Sequence, residues 1–254
     1  IGIFATNNKI GSNATDHTVK NKGNISVGNT DKSGTAIGIY GDRVSIKSES
    51  GTIKIGEGAV GIYAKNSVVG EAGKDLGKID YNGKNGIGLY LKDNSSLAGT
   101  KISLIQTSSG ELKGKVGILV DTDKSTETLT TEIDTGSVND VTAYYSKSSD
   151  LTINADGKVN KNSVGIAGAE GKKLIYGKGT FKVGENSTAI LGKKNEITLN
   201  NNAVLQLTGS KSIGIYSDSD NATKNALING KIKFDSTATN AVGAYALNDT
   251  NLKI

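Results

Sequence analysis

Cysteine, proline, methionine and tryptophan are absent from this 254-residue chain. The lack of cysteine excludes disulfide bonds and thiolate metal sites, and we expect neither a bound metal nor a cofactor. Arginine and histidine occur once each, as Arg43 and His17. Nucleic-acid binders cluster their basic residues and use arginine to contact base edges. The scattered lysines behind the formal charge of +5 therefore indicate a solvated surface, and we expect no nucleic-acid partner.

Apolar side chains are also scarce. Hydrophobic residues make up 35% of the chain and aromatic residues 5%, whereas a globular protein has about 45–50% apolar residues when glycine is counted. This composition favours a thin core along an extended array over one large compact core. No run approaches the roughly 18 apolar residues of a membrane-spanning helix, so we expect no membrane span within these residues.

The chain is rich in glycine, with 34 residues, and one phrase is repeated along it. The phrase consists of a small residue, Ile or Val, Gly, Ile, Tyr and a second small residue, as in Ala36–Gly41 and Ala59–Ala64. Copies recur every ~27 residues on average, a spacing typical of stacked repeats. A unit this short cannot bury its own apolar face, so neighbouring units must cover it. The glycine position of the ten copies falls at Gly2, Gly38, Gly61, Gly88, Gly117, Thr142, Gly165, Ala189, Gly214 and Gly243.

Two further short segments recur between copies of the phrase. One, which we call the anchor, consists of Gly, any residue, an apolar residue, any residue and an apolar residue, as in Gly51–Ile55. The other is a looser alternation, such as Leu151–Ile153, that lies between the phrase and the anchor. Period-two segments separated by Gly, Asn, Asp and Ser are strands and turns. Three strands per coil, always wound the same way, predict an all-β fold. This fold is a right-handed parallel β-helix of about ten coils of roughly 22–36 residues.

The repeat runs through residues 1–254, which predicts one continuous β-helix rather than separate domains. Both ends of the chain lie within repeat segments. We therefore expect the sequence to be an internal fragment of a longer protein.

Alternation along a strand predicts which side chains face the interior. Val60 and Ile62 should point inward, and Gly61 and Tyr63 outward. Asn66, Asn94 and Asn195 should occupy left-handed turns. The predicted buried column consists of Ile39, Ile62, Leu89, Ile118, Ala143, Ile166, Ile190, Ile215 and Ala244. The predicted outer aromatic column consists of Phe4, Tyr40, Tyr63, Tyr90, Tyr144, Tyr216 and Tyr245. Because its residues recur at one coil position, we interpret it as a cover for the sheet rather than a sugar-binding platform.

Long coils predict loops that leave the rod. They should lie between about Thr6 and Lys22, around Gly70–Asp75, around Leu104–Glu111, and in the polar, Thr-rich stretch Asp121–Glu132. Binding in repeat proteins usually resides in such surface loops. The candidate binding residues are Asn13, Asp16, His17, Asp121, Asp123 and Glu127.

Two acidic runs could in principle hold a metal ion. Asp121–Asp123 and Asp218–Asn221 place oxygen ligands on alternate residues, and calcium takes six to eight oxygens. Neither run has the glycine and terminal glutamate of an EF-hand loop. Polar turns are therefore the favoured interpretation.

A carbohydrate-active enzyme is an alternative with the same shape. Glycoside hydrolysis needs carboxylates held at a fixed separation. Asn29–Asp31 is similar to the first motif of polygalacturonase-like β-helix enzymes, but the companion Asp-Asp and Gly-His-Gly motifs are missing. Arg43 beside Asp42 is a poor match to the arginine base of β-helical lyases. We therefore predict that the chain is not an enzyme.

The phrase AVGIYAKN at Ala59–Asn66, echoed by AIGIYGD and SIGIYSD, resembles the passenger repeat of large fusobacterial adhesins. These are type Va autotransporters of the RadD-like group, and the resemblance extends along the whole chain. It implies a signal peptide, a long β-helical passenger and a C-terminal outer-membrane barrel, with the passenger at the cell surface. It also implies adhesion to other bacteria and to host cells.

The resulting prediction is a cell-surface adhesin passenger segment. As a monomeric rigid rod, it would present loops for bacterial coaggregation and host-cell attachment. Its partners would be surface proteins or glycans of other bacteria or host cells. A pure spacer with no ligand in this segment is a further alternative.

Overall fold

The structure is a computed structural model that describes residues 1–7, 17–30, 36–220, 225–248 and 250–254. These residues form short β-strands joined by turns. The strands are β1 (Ile3–Thr6), β2 (Thr18–Asn21), β3 (Ile25–Val27), β4 (Ile37–Asp42), β5 (Ser45–Ser48), β6 (Thr52–Ile55), β7 (Val60–Lys65), β8 (Val68–Val69), β9 (Lys78–Tyr81), β10 (Ile87–Asp93), β11 (Ser96–Leu97), β12 (Lys101–Ile105), β13 (Lys115–Thr122), β14 (Thr126–Leu129), β15 (Glu132–Asp134), β16 (Val141–Ser146), β17 (Asp150–Ile153), β18 (Gly157–Val159), β19 (Val164–Gly168), β20 (Lys173–Val183), β21 (Thr188–Lys193), β22 (Glu196–Leu207), β23 (Ile213–Ser219), β24 (Asn225–Ile228), β25 (Lys231–Phe234), β26 (Val242–Asn248) and β27 (Asn251–Lys253).

Every strand pairs in parallel with its equivalent in the neighbouring coil, and this confirms the predicted parallel β-helix. The repeated phrase forms a ten-stranded first sheet in the order β1-β4-β7-β10-β13-β16-β19-β21-β23-β26. The looser segment forms the second face, which begins as the sheet β2-β5-β8-β11, and the anchor forms the third face. In the later coils, β20 and β22 are long enough to bend from the second face to the third. With a strand spacing of about 4.8 Å, the nine turns between ten strands give a rod about 43 Å long.

One core runs along the inside of the rod, and a single buried cluster extends from Ile39 to Ile228. On the first sheet, Ile39 pairs with Ile62, Ile62 with Leu89, and Leu89 with Ile118. All four of these side chains are buried. The predicted apolar column is therefore confirmed over these coils, and it continues through Ile166, Ile190 and Ile215.

The column prediction is wrong by one residue in β16. Tyr144, not Ala143, pairs with Ile118 and Ile166, and it is fully buried. Its hydroxyl donates a hydrogen bond to the Thr131 carbonyl at 2.7 Å, so the buried polar group is satisfied. Tyr145 therefore takes the outer aromatic position predicted for Tyr144. Two consecutive tyrosines made the two registers indistinguishable in the sequence.

The glycine of the phrase faces inward, which corrects the prediction that Gly61 points outward. A Cβ built on Gly61 would lie 2.5 Å from the Gly88 carbonyl oxygen and 3.1 Å from Cδ1 of Ile79. Gly38 has the same surroundings, with the Gly61 carbonyl oxygen at 2.6 Å and Cγ2 of Ile53 at 2.9 Å. Glycine recurs here because the next coil's backbone and an anchor side chain of the third face crowd this position. Two coils have alanine at the equivalent position, Ala143 and Ala189, and both methyl groups are fully buried.

Left-handed residues recur at two corners of the coil. Asn66, Asp93 and Lys194 have positive φ after the first sheet. The prediction is thus confirmed for Asn66 and wrong by one residue for Asn94 and Asn195, whose predecessors take that conformation. Before the first sheet the same conformation recurs at Gly58, Asn85, Gly114, Asp140, Asn162, Asn186, Lys211 and Asn240. Asparagine and aspartate are favoured there because their short polar side chains tolerate this backbone region.

Buried serines join neighbouring coils at the edges of the first sheet. The Ser67 hydroxyl accepts a hydrogen bond from the Val44 amide at 3.1 Å, and the Ser95 hydroxyl accepts one from the Ser67 amide at 3.1 Å. In later coils, the Ser187 hydroxyl accepts from the Ser163 amide at 2.9 Å. Corner amides that strand pairing leaves without a partner are satisfied in this way.

The glycine column generates a stability prediction. Gly61→Ala should lower the free energy of unfolding by about 1–3 kcal/mol, because the new methyl group must displace a backbone carbonyl. Chemical denaturation followed by circular dichroism measures the change.

Gly28→Ala is the matched control, because a Cβ at Gly28 would have no described atom within 4 Å. It should change stability by less than about 0.5 kcal/mol. Equal effects of the two substitutions would contradict the packing argument.

Candidate functional site

Of the three predicted N-terminal binding residues, His17 alone lies among the described residues. Asn13 and Asp16 lie outside the described residues. His17 is exposed, and its backbone carbonyl accepts a hydrogen bond from the Ser45 amide at 2.8 Å. Its imidazole therefore lies at the surface, and its role in binding stays a prediction.

The prediction of a loop at Asp121–Glu132 is wrong. Residues 121–122 end β13, residues 126–129 form β14, and Glu132 begins β15. Threonine is β-branched and fits a pleated strand, and the order Thr126, Glu127, Thr128, Leu129 alternates exposed and buried positions. A glutamate at an inward position concealed this alternation in the sequence. The insertions predicted around Gly70–Asp75 and Leu104–Glu111 do leave the strands, at residues 70–77 and 106–114. Of the insertion predicted between Thr6 and Lys22, residues 8–16 lie outside the described residues, and Thr18–Asn21 form β2.

Asp121 lies at the centre of a polar cluster on the outer surface of the first sheet. Its Oδ2 atom accepts hydrogen bonds from the Tyr90 hydroxyl at 2.7 Å, from Lys147 Nζ at 3.1 Å and from Lys92 Nζ at 3.2 Å. Strand register produces this arrangement, because Lys92 pairs directly with Asp121. The side chain of Asp121 is only 8% exposed. Its carboxylate therefore joins three coils of the rod.

The electrostatics of this cluster follow from the same contacts. Burial alone would raise the pKa of Asp121, but the hydrogen bonds from Tyr90, Lys147 and Lys92 outweigh it and lower that pKa below its ordinary value. Burial and the hydrogen bond to Asp121 raise the pKa of Tyr90. The hydrogen bond to Asp121 also raises the pKa of Lys92. These shifts favour the Asp121 carboxylate, the neutral Tyr90 hydroxyl and the Lys92 ammonium, which are the forms that make these hydrogen bonds.

Glu127 and Asp123, the other two candidate binding residues in this stretch, differ in how far they are exposed. Glu127 is buried, accepts a hydrogen bond from the Thr122 hydroxyl at 3.3 Å and forms an ion pair with Lys124 at 3.0 Å. Asp123 is exposed at the corner between β13 and β14. Of the three candidate binding residues in this stretch, Asp123 alone presents its side chain mainly to solvent.

The aromatic column is a stack whose ring faces cover one another. Phe4 and Tyr40 have ring centroids 5.1 Å apart and planes inclined by 6°, and Tyr40 and Tyr63 have centroids 5.4 Å apart with planes inclined by 13°. Tyr63 contacts Tyr90 at 4.8 Å in a tilted arrangement. A sugar that stacks on an aromatic needs an open ring face. The interior rings of this stack offer edges instead, as expected for a column that covers the sheet.

A polar cavity of about 250 Å³ beside the 106–114 loop was not predicted. Lys115, at the first position of β13, lies in its wall and is only 1% exposed. Lys115 Nζ donates hydrogen bonds to Gln106 Oε1 at 3.0 Å and to the Leu112 carbonyl. Gln106 Nε2 in turn donates to the Gly110 carbonyl at 2.9 Å. Lysine and glutamine together thus hold the loop against the rod.

Two features of Lys115 distinguish it from the surface lysines. Burial lowers the pKa of its ammonium group, and nearby Asp140 partly opposes that shift. The sequence also carried a signal, because seven of the other nine copies of the phrase have Ala, Gly or Ser at this position, as at Ala59 and Ser163. Of the remaining two, one has Val141 here and the other begins one position later in the phrase, at Ile1. A lysine among small residues, directly after an insertion, marks the place where the rod departs from its repeat.

Comparison with protein-family models, with curated proteins and with solved structures finds no match. The fold therefore defines the class: a parallel β-solenoid with three faces per coil, built from repeats. Within the described ranges, no helix has the length and apolar character needed to cross a bilayer. The same ranges bring together no group of three or more His, Asp or Glu side chains suited to hold a metal ion.

The Asp121 cluster generates a second prediction. Asp121→Asn should lower the free energy of unfolding at pH 7 by about 1–3 kcal/mol, because three donors lose a charged acceptor. The folded-state pKa of Asp121 lies below the unfolded value of about 3.9. Its contribution is therefore present above that value and is lost as the pH falls through the folded-state pKa.

Denaturation curves between pH 7 and pH 3 measure both effects, and the difference between wild type and Asp121→Asn should shrink towards acid pH. Asp123→Asn, two residues away and exposed, is the control and should change stability by less than about 0.5 kcal/mol. A difference that stays constant with pH would refute the ionic role of Asp121.

Proposed function

We propose that this chain is a segment of a cell-surface adhesin passenger, a stiff rod that presents loops for attachment to other bacteria or host cells. The observation that carries the proposal is the single core that continues through all coils from Ile39 to Ile228. A rod with one uninterrupted core suits a protein that must hold a binding element at a distance from a surface.

Stiffness follows from the way neighbouring coils are joined. The ten-stranded first sheet pairs backbone groups from coil to coil along the whole rod. Corner serines and the carboxylate of Asp121 add side-chain links between coils. Each coil contacts only its neighbours, so rigidity accumulates along the axis.

The resemblance of Ala59–Asn66 to the passenger repeats of fusobacterial type Va autotransporter adhesins supports the same proposal. On that basis we assign the segment to the extracellular side of the outer membrane. Its partners would be surface proteins or glycans, and it would act as a monomer through binding rather than catalysis. We place recognition at the 106–114 loop, where the chain leaves the repeat beside the polar cavity.

The spacer alternative has a specific observation in its favour. Asp121 and Glu127, two of the predicted binding residues, form hydrogen bonds and ion pairs within the rod. The enzyme alternative has less support. Arg43 forms an ion pair with its neighbour Asp42 at 3.6 Å, and Asp31 lies outside the described residues.

The test is to display the segment on a bacterial surface and to score attachment to a panel of bacteria, host cells and glycans. The discriminating variant replaces residues 107–114 by residues 82–85, the shorter turn at the same place in the preceding coil. We expect wild type to attach and the exchanged variant to lose at least tenfold in attachment.

The matched control removes residues 190–214, one whole coil, since Ile190 pairs with Ile215 and the register is preserved. It should attach like wild type. Attachment that survives the loop exchange would overturn the assignment to the loop. Absence of attachment to every panel member would support the spacer.

A further inference from the structure

The cavity beside the 106–114 loop contains a buried amine with room for one more partner. Lys115 Nζ has three positions for hydrogen bonding, and Gln106 Oε1 and the Leu112 carbonyl take two of them. None of the ion pairs within 4.0 Å among the described residues includes Lys115. The third position therefore remains for a group that enters the cavity.

A buried acceptor lies in the same wall. The Oδ1 atom of Asn139 is enclosed and accepts no hydrogen bond from any described residue. Burying an amide oxygen without a donor is unfavourable, and such atoms are rare in folded proteins. The cavity thus offers one free position on an amine and one free acceptor.

The charges around the cavity balance. Lys115 and Lys161 carry positive charge, and Glu111 and Asp140 carry negative charge. Lys161 is also paired with Glu185 at 3.1 Å, outside the cavity lining. An anionic ligand would meet Asp140, and a cationic ligand would meet Lys115. The balance favours a polar ligand without net charge.

We propose that this cavity binds a single uncharged sugar ring, such as the terminal hexose of a glycan. A hydroxyl group can accept a hydrogen bond from the Lys115 ammonium or donate one to its neutral amine. A second hydroxyl can donate to Asn139 Oδ1. The volume of about 250 Å³ lies below the roughly 300–1,000 Å³ of pockets for drug-sized ligands, so one ring suits it better than a longer oligosaccharide.

This proposal rests on the proposed function and supplies its ligand class. None of the described residues that line the cavity is aromatic, so the sugar would gain little from stacking. We expect a dissociation constant of about 1 mM for a single site. Attachment of cells would then depend on many weak contacts that act together.

The experiment is a titration of the wild-type segment with methyl glycosides of neutral hexoses, followed by saturation-transfer difference NMR. Glucuronate and glucosamine serve as anionic and cationic sugars. We expect saturable binding of at least one neutral glycoside and at least fivefold weaker binding of both charged sugars. A charged sugar that binds as well as the best neutral one would overturn the charge argument.

Two variants locate the site. Lys115→Met keeps the aliphatic stem and removes the amine, and we expect at least tenfold weaker binding. Because Lys115 also holds the loop, Asn139→Leu is the deciding variant: it removes the free acceptor, leaves the lysine contacts in place and should likewise weaken binding at least tenfold. Asn202→Leu, on the exposed part of β22, is the matched control and should bind like wild type.

Unchanged affinity in Asn139→Leu, or no saturable binding of any glycoside, would overturn the sugar site. These outcomes are separable from failure of the proposed function. Cell attachment without sugar binding would leave the adhesin proposal standing and remove the sugar site. Sugar binding without cell attachment would leave the sugar site standing and remove the adhesin proposal.

Discussion

Coil-to-coil stacking is the constraint on which this structure depends. A repeat of this size has too few apolar side chains to enclose a core, so each coil must place its inward residues directly against those of the next. The parallel ladder sets the spacing at about 4.8 Å. At that spacing the backbone at Gly61 lies so close to the Gly88 carbonyl oxygen and to Ile79 that a methyl group does not fit. The glycine, the inward isoleucine and the left-handed corners are separate consequences of one geometric requirement.

The same constraint governs how polar groups enter the rod. Three buried tyrosines each donate a hydrogen bond from their hydroxyl group to a backbone carbonyl: Tyr81 to Val116, Tyr144 to Thr131 and Tyr176 to Ala155. The carboxylate of Asp121 can be nearly buried on the outer side of the first sheet because three donors from adjacent coils form hydrogen bonds with it. A polar residue in one coil is thus tolerated where a neighbouring coil supplies its partner. Five buried side-chain atoms of the described residues depart from this rule, and Asn139 Oδ1 is one of them.

Period and spacing sufficed to predict the fold, the three faces and most of the buried column, because a regular repeat translates directly into strand register. The prediction failed where the sequence allowed two strand registers, and where the burial of a residue depends on contacts with other residues. Tyr144 and Tyr145 offer two registers, and only packing against the interior selects between them. Glu127 made a strand look like a loop because its burial depends on Lys124 and Thr122. The Lys115 cavity needs contacts across the nine-residue loop 106–114, which no period describes.

The places where prediction from the repeat failed also indicate where a binding partner should contact the rod. Side chains in the repeated columns interact mainly with one another. The stacked rings between Phe4 and Tyr90 cover each other's faces, and the charged groups around Asp121 are paired within the rod. A surface whose groups are already paired has little free energy to gain from a partner. A few buried atoms in regular coils, such as Ser217 Oγ, also lack a hydrogen-bond partner. At the 106–114 loop an unpartnered acceptor and a buried amine face the same cavity, because the interruption has no equivalent residue in the neighbouring coil. The insertion at 106–114 is such an interruption, and it leaves free positions at Lys115 and Asn139. We therefore propose that a partner binds at this interruption of the repeat rather than on the regular faces of the rod.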